Sequence, residues 1–229
     1  MTSRPAWTRR TAAGAVTTVV TGAVAAALVA LAGPAAAGSA GPVTAGTATT
    51  RPVTGASVSP AAAAVAVDYA TWQEDCRAVM DQALPYLKER IAQAGPGEKQ
   101  ALVLDIDNTS LETDFGFSYP QPANAPVLEV ARYAQEHGVD LFFVTARPGI
   151  VSLPTEYNLD HVGYEVSGLY VRGFFDLFKD VAAYKTAQRA EIESNGYTII
   201  ANIGNSATDL SGGHAERTYK LPDYDGQLS

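Results

Sequence analysis

Residues 100–110 read Gln-Ala-Leu-Val-Leu-Asp-Ile-Asp-Asn-Thr-Ser. The continuous apolar run at 101–104 is typical of a strand that is buried on both faces, as in parallel sheets. Two carboxylates, Asp105 and Asp107, follow this run at the point where the strand ends. Because ligands of open α/β sheets bind beyond the carboxyl ends of the strands, this stretch predicts a parallel sheet and also the place of its site.

Outward from this stretch, apolar runs of strand length alternate with segments of helical period. Such alternation predicts an α/β fold, a three-layer sandwich whose central, mostly parallel sheet is covered by helices and is preceded by an N-terminal helical segment. Pro85 is expected to kink or divide that first helix. Strands are predicted at 100–105, 139–145, 169–172, 197–204 and 215–221, and helices at 68–94, 126–137 and 180–195.

The first 66 residues are not expected to belong to this fold. Residues 1–37 combine three arginines, an apolar Ala/Val/Thr-rich run and a small-residue end, which predicts a secretory signal peptide and export from the cell. An uncleaved membrane anchor is the alternative. Residues 38–66 contain Ala, Pro, Thr, Gly and Ser without a hydrophobic period, which predicts a flexible linker. The folded domain is therefore expected at 67–229.

The charge of the chain restricts its partners. Without residues 1–37 it has 13 basic and 24 acidic residues, a formal net charge of −11. Such a surface repels nucleic acids and anionic membranes, so no nucleic-acid partner and no stable membrane insertion after signal cleavage are expected. A small phosphorylated substrate remains compatible if a metal supplies local positive charge, and a homo-oligomer stays open. Cys76 is the sole cysteine, which excludes an intrachain disulfide and favours a core position, with pairing to a second chain as the alternative.

Further polar residues follow the other apolar runs. Thr145, Ala146 and Arg147 come after the second predicted strand, and Asn205 and Asp209 come after the fourth. A lysine, Lys185, lies on the helix between them. Carboxylate and amide oxygens suit Mg²⁺, whereas a hydroxyl and an ammonium suit a phosphate. Arg147 is expected either to bind substrate or to pair with a surface acid.

In this order the segments resemble the four motifs of the haloacid dehalogenase (HAD) superfamily. They are most similar to its acid phosphatase branch of plant-type and bacterial class B enzymes, subfamily IIIB, over about 160 residues. The strand ending T-A-R corresponds to the second motif of the superfamily, and the branch has D-I-D-E-T-S, A-Y-K-x-x-x-R, G-D-x-x-S-D-L-x-G and K-L-P. Here the corresponding residues are Asp-Ile-Asp-Asn-Thr-Ser at 105–110, Thr-Ala-Arg at 145–147, Ala-Tyr-Lys-Thr-Ala-Gln-Arg at 183–189, Gly-Asn-Ser-Ala-Thr-Asp-Leu-Ser-Gly at 204–212 and Lys-Leu-Pro at 220–222.

The resemblance implies a secreted, Mg²⁺-dependent acid phosphatase that hydrolyses phosphomonoesters through an aspartyl-phosphate. Asp105 is implied as the nucleophile and Asp107 as the general acid and base. Thr145 and Lys185 are implied to contact the phosphoryl group, with Ala146 and Arg147 as further substrate-binding residues. Asp105, Asp107, Asn205 and Asp209 are the implied metal site, with Asp107 contributing its main-chain carbonyl.

Two departures from the family pattern bear on activity. Asn108 stands where the family has Glu or Gly, and a short polar residue in such a turn is expected to have little effect. Asn205 stands where the family has a metal-binding Asp, so one negative charge is missing from the implied metal site. Asn205 is the main support for an alternative function, a non-catalytic binding or storage protein. A phosphotransferase that uses the same intermediate also stays open. Only about 15 residues separate the first motif from the next helix, which predicts a minimal cap.

Overall fold

A computed structural model describes residues 67–116 and 118–228 of the chain. The predicted signal peptide and linker lie outside the described residues. The helices are α1 (Tyr69–Ala92), α2 (Ala125–Glu136), α3 (Ser152–Val162), α4 (Val181–Ser194) and α5 (Ala207–Leu210). The strands are β1 (Lys99–Leu104), β2 (Asp140–Pro148), β3 (Val166–Arg172), β4 (Tyr197–Gly204) and β5 (Thr218–Lys220), and short 3₁₀ turns occur at Gly149–Val151 and Asp176–Phe178.

The five strands form one sheet in the order β3-β2-β1-β4-β5, and every neighbouring pair is parallel. β1 is therefore the central strand, as its uninterrupted apolar run predicts. At its end Leu104 is aligned with Phe143 on one side and with Ile203 on the other. The segments that leave β1, β2 and β4 consequently begin at the same edge of the sheet. The predicted α/β fold with a parallel sheet is confirmed.

The two faces of the sheet are covered separately. Leu102 and Leu104 pack into the larger core with residues of α1 and α2, whereas Ala101 and Val103 pack on the opposite face with Ile192 of α4. Side chains alternate between the faces of a strand, so β1 is buried on both sides. This arrangement gives the three layers that the alternation of strands and helices predicts.

The N-terminal helix runs unbroken through Pro85. The prediction that Pro85 divides it is wrong. The side chain of Asp68 caps its first turn by accepting a hydrogen bond from the amide of Thr71 at 2.9 Å. Burial of the apolar side of this helix offsets the loss of the backbone hydrogen bond that a proline removes. The buried residues are Trp72, Cys76, Met80, Ala83 and Leu87. Cys76 is a fully buried free thiol, as expected of a core residue.

β2 extends three residues beyond its predicted end at Thr145. Pro148 pairs with Arg172 of β3, so Thr145, Ala146 and Arg147 lie within the strand. The last strand is shorter than predicted, because only Thr218–Lys220 pair with β4. Between β1 and α2 the described residues form two single bridges and no helix, in agreement with a minimal cap. Among residues 67–116 and 118–228, no helix has the length and apolar character needed to cross a membrane.

Candidate active site

The carboxyl edge of the sheet contains a cavity of about 210 Å³. Six of the residues predicted for the site line this cavity. Its four charged lining residues come from three parts of the chain: the turn after β1, α4 and α5. The lining residues are Asp105, Asp107, Ala146, Val181, Lys185, Asn205, Ser206, Thr208 and Asp209. Thr145 and Arg147 are outside this lining, although both belong to the adjacent end of β2.

A tight turn after β1 brings the two first-motif carboxylates to this cavity. The carbonyl of Ile106 accepts hydrogen bonds from the amides of Thr109, Ser110 and Leu111 at 3.2, 3.0 and 2.9 Å. The hydroxyl of Ser110 donates to the carbonyl of Asp105 at 2.6 Å. Asn108 adopts a left-handed conformation with φ of 49°, which Asn tolerates better than most residues. The turn thereby reverses the chain directly behind Asp105.

The side chain of Asn108 also fixes the segment that follows this turn. Its Nδ2 donates to Asp114 Oδ2 at 2.7 Å, and its Oδ1 accepts from the hydroxyl of Thr113 and the amide of Asp114. An ionised Glu in this position has no N–H group to donate to Asp114. Asn108 is therefore a structural residue of the turn, a role that its tolerance in turns alone did not reveal.

Asp105, Lys185 and Asp209 form a buried ion-pair cluster. Lys185 Nζ donates to Asp105 Oδ1 at 2.6 Å and to Asp209 Oδ1 at 2.5 Å. Their side chains are only 7%, 4% and 2% exposed, so water cannot replace a lost partner. Burial raises the pKa of the Asp105 carboxyl, against the lowering effect of the Lys185 charge. Burial lowers the pKa of Lys185, but the two carboxylates raise it by more, so the net shift is upward.

Asp209 reaches this cluster because the chain after β4 packs very closely. A Cβ atom at Gly204 would lie 2.4 Å from Cβ of Asp209, so only glycine permits this approach. The second carboxylate oxygen of Asp209 accepts from the amide of Ser206 at 2.7 Å, which completes a capping box for α5. Asp209 thus both closes the turn and holds Lys185 in the cavity.

Asp107 is held by Arg147 in a two-pronged ion pair. The guanidinium donates from Nη2 at 2.8 Å and from Nε at 3.1–3.2 Å to the Asp107 carboxylate. Arg147 also donates to Thr155 Oγ1 and Gln121 Oε1, each at 3.1 Å. Arg147 thus pairs with an acid, but its partner is the predicted site residue Asp107 and not a separate surface acid. Asp107 remains 42% exposed, in contrast to the sealed Asp105.

The hydroxyl oxygen of Thr145 accepts a hydrogen bond from the amide of Arg147 at 3.1 Å. Thr145 is fully buried within β2 and does not line the cavity. Its hydroxyl hydrogen is not used by that bond and is still available to an acceptor.

The side chain of Asn205 is oriented by two residues that are far from it in the sequence. Its Nδ2 donates to the carbonyl of Leu228, and its Oδ1 accepts from Thr109 Oγ1 at 3.4 Å. The side chain is 2% exposed and borders the same cavity as Asp105. The amide oxygen is thus directed away from the protein segment that contacts the amide nitrogen.

The residues at this cavity fit a hard divalent cation. The donors are carboxylate, amide and main-chain oxygens, which Mg²⁺ prefers, and it requires few carboxylates because it retains waters. The three carboxylates carry more charge than Lys185 and Arg147 neutralise, and burial raises the pKa of Asp105. Within residues 67–116 and 118–228, no three His, Cys, Asp or Glu side chains converge on one point. Lys185 pairs with both Asp105 and Asp209, and Arg147 pairs with Asp107.

The sequence also matches the family model of the HAD superfamily acid phosphatases, subfamily IIIB, over residues 34–121 and 118–227. The chain belongs to this family. Two soybean (Glycine max) proteins, the stem 28 kDa glycoprotein and the stem 31 kDa glycoprotein, are each 34% identical over 90 residues, which is 38% of this chain. Those residues span only 35% and 31% of the two relatives.

A solved structure shares the α/β fold of this chain. The class C acid phosphatase from Bacillus anthracis aligns with a TM-score of 0.51 over 63% of this chain and 67% of that chain. The sequence identity is 19%, so this likeness concerns the fold alone. The resemblance deduced from the four motifs is confirmed at the level of the family and of the α/β architecture.

Arg189, which closes the A-Y-K-x-x-x-R motif of the family, has a role that sequence reasoning did not assign. It is 1% exposed and donates to the carbonyls of Asp209 at 2.6 Å, Gly213 at 3.0 Å and Ser211. Asn202 of β4 donates to the same Asp209 carbonyl at 2.8 Å. Arg189 therefore holds the loop that carries Asp209. The sequence signal was its spacing of four from Lys185, which puts both on one face of α4.

We expect Arg189→Met to lower the free energy of unfolding by about 2–3 kcal/mol, because buried carbonyl groups lose their donor. Urea denaturation measures the change. Arg172→Met is the matched control, since Arg172 also donates to main-chain carbonyls, those of Asp176 and Lys179, at a half-exposed position. Water replaces that donor, so the expected loss is below about 1 kcal/mol. Equal losses would show that burial of Arg189 is not what matters.

Proposed function

We propose that this chain is an exported, Mg²⁺-dependent acid phosphatase that hydrolyses phosphomonoesters through an aspartyl-phosphate on Asp105. One observation carries the proposal: Asp105 directly follows the central strand, pairs with the buried Lys185 and lines the same cavity as Asp107. A nucleophile, a cation and a proton donor at one cavity are what phosphoryl transfer requires.

In the proposed reaction, a carboxylate oxygen of Asp105 attacks phosphorus and the bond to the leaving alcohol breaks. Asp107 gives its proton to the departing oxygen and later takes one from the water that hydrolyses the acyl phosphate. Lys185 stabilises the negative charge that gathers on the nucleophile and the phosphoryl oxygens. The 42% exposure of Asp107 supports its part, because that carboxylate must exchange protons with water.

Thr145, Ala146 and Arg147 are proposed to border the bound substrate from β2. The free hydroxyl hydrogen of Thr145 is suited to a phosphoryl oxygen. Asp105, the main-chain carbonyl of Asp107, Asn205 and Asp209 would hold Mg²⁺. When bound, the ion supplies positive charge that reduces repulsion between the substrate dianion and the carboxylates.

Export is proposed from the first 37 residues, with cleavage near residue 37 and residues 38–66 as a tether to the folded domain. A cleaved signal peptide is supported by the three arginines, the apolar run and the small-residue end. The net charge of −11 that remains after cleavage is consistent with a small-molecule substrate whose phosphate meets a local positive site.

Hydrolysis of p-nitrophenyl phosphate by the purified protein tests the proposal. We expect turnover with Mg²⁺ between pH 4 and 8, loss of turnover with a chelator and recovery when Mg²⁺ is added back. Absence of turnover across this range, with Mg²⁺ present and the fold verified by circular dichroism, would refute the hypothesis that the protein is a phosphatase.

A non-catalytic binding protein is the second candidate, and the observation that favours it is Asn205. A neutral amide at this position lowers the negative charge available to a divalent cation. Binding of beryllofluoride, a mimic of the phosphoryl group on a carboxylate, separates the two. Tight, Mg²⁺-dependent binding without any turnover would support the binding protein, whereas binding together with turnover supports the enzyme.

We expect Arg147→Met to reduce kcat about 10- to 100-fold, because the guanidinium no longer orients the Asp107 carboxylate. The loss of stability should remain below about 1 kcal/mol, since Asp107 is 42% exposed. Steady-state kinetics and thermal unfolding measure the two effects. Arg77→Met is the control, because it removes the exposed ion pair with Glu129 and should leave kcat unchanged. An unchanged kcat in Arg147→Met would remove Arg147 from the mechanism.

A further inference from the structure

Residues 223–228, here called the C-terminal arm, form a compact turn that is attached to the folded domain at several points. The hydroxyl of Tyr224 donates to Asp75 Oδ2 on α1 at 2.6 Å. Asp223 forms an ion pair with Lys220 at 2.9 Å. The side chain of Leu228 is only 4% exposed and packs in the larger core. These contacts give the arm a defined position.

The arm places a main-chain carbonyl against the candidate metal site. The amide of Leu228 donates to the carbonyl of Asp223 at 3.1 Å, which fixes the last peptide of the arm. The carbonyl of Leu228 accepts from Nδ2 of Asn205. Lys220 donates to the main-chain carbonyl of Asn205 and to that of Leu221. Residue 205 is thus held through both its side chain and its backbone by the C-terminal part of the chain.

A carbonyl oxygen can only accept hydrogen bonds, so its buried partner must be a donor. Asn provides an NH₂ group, whereas an ionised Asp has acceptors alone. Two acceptors facing each other without water leave both unsatisfied. The NH₂ group of Asn205 is committed to Leu228, and its Oδ1 accepts a hydrogen bond from Thr109 Oγ1. Asn205 also lines the cavity that it shares with Asp105.

We propose that the C-terminal arm is a positioning element of the active site, which requires an amide at residue 205 and directs its oxygen toward the bound Mg²⁺. The part that concerns Mg²⁺ rests on the proposed function. On this account Asn205 is not a weakened version of an acidic ligand. Its NH₂ group donates to the arm while its Oδ1 serves the metal site, and Leu228 therefore affects metal binding through Asn205.

The Asn205→Asp variant, which restores the acidic residue of the family pattern, distinguishes the two roles of residue 205. If residue 205 were only a metal ligand, the added charge would strengthen Mg²⁺ binding and leave the arm in place. If the arm requires a donor, the variant loses the contact with Leu228 and the arm detaches.

Hydrogen–deuterium exchange of the full chain without metal measures this detachment. Any purification tag is placed at the N-terminus so that the arm is unchanged. We expect amides of residues 223–228 to exchange at least about tenfold faster in Asn205→Asp than in the wild type, with α1 unaffected. Unchanged exchange in the arm would overturn the proposal, whether or not the protein binds Mg²⁺.

Magnesium affinity, measured by isothermal titration calorimetry, tests the second half. Leu228→Ala removes the core anchor of the arm but no metal ligand, and we expect it to weaken Mg²⁺ binding about three- to tenfold. Leu87→Ala truncates another buried leucine of the same core cluster, on α1, and should leave the affinity within about twofold. Equal affinities of the two variants would overturn the positioning role.

The two measurements also separate this proposal from the proposed function. A wild-type protein that binds no Mg²⁺ would refute the Mg²⁺-dependent phosphatase and the metal-directing role of Asn205. Faster exchange of the arm in Asn205→Asp would still establish that the arm requires a donor at residue 205.

Discussion

Asp105→Asn is expected to lower kcat/KM for p-nitrophenyl phosphate by on the order of 10⁴-fold or more, because the variant has no carboxylate to attack phosphorus. The protein should remain folded. Burial already disfavours the charged form of Asp105, and an amide oxygen can still accept the hydrogen bond from Lys185. The free energy of unfolding is therefore expected to change by no more than about 1 kcal/mol.

Rapid acid quenching gives a direct measurement of the intermediate. In the wild type, the phosphoryl group should be found on the peptide that contains Asp105, and in Asp105→Asn that label should be absent. Asp81→Asn is the control, because Asp81 is an exposed acid on α1 that the proposed mechanism does not use. A label on any other residue would show that Asp105 is not the nucleophile.

Lys185→Met should damage both activity and stability. We expect kcat/KM to fall about 10³-fold, since no other cation contacts Asp105 among the described residues. The free energy of unfolding should decrease by about 3–5 kcal/mol, because Asp105 and Asp209 remain buried without their partner. Steady-state kinetics and urea denaturation measure the two effects. Lys179→Met, at the 62% exposed lysine before α4, is the matched control and should alter neither quantity.

A double variant separates the electrostatic effect from a loss of packing. Adding Asp209→Asn to Lys185→Met removes one of the two uncompensated carboxylates, so part of the lost stability should return while the activity does not. If the double variant is less stable by the sum of the two single losses, the cluster is not a coupled electrostatic unit.

The architecture was predictable from sequence because its signals are local. The apolar run at 101–104 and the acid that follows indicate a central parallel strand, and β4 occupies its predicted residues 197–204. The rule that ligands bind at the carboxyl edge brings Asp105, Asp107, Asn205 and Asp209 together without any coordinates. Lys185 required the resemblance to a family, because a lysine on an amphipathic helix is otherwise a common surface residue.

The contacts that orient these side chains were not predictable. Arg147 reaches Asp107 across 40 residues, and Asn205 reaches Leu228 across 23. Neither pair shares a helix face or neighbouring strand positions, so no periodic pattern encodes it. The end of β2 was misplaced for a related reason: Pro148 belongs to the strand because it is aligned with Arg172, and alignment between strands is a property of the folded chain.

The buried thiol of Cys76 has a practical consequence. Burial raises its pKa to about 11, and the amide group of Asn124 on the loop before α2 contacts its sulfur at 3.5 Å. Since the thiolate is the reactive species, alkylating reagents at neutral pH should modify Cys76 only in molecules whose first helix has separated from the core. The rate of modification by iodoacetamide thus reports how often the first helix opens. A cysteine introduced on the surface would react selectively with a fluorophore.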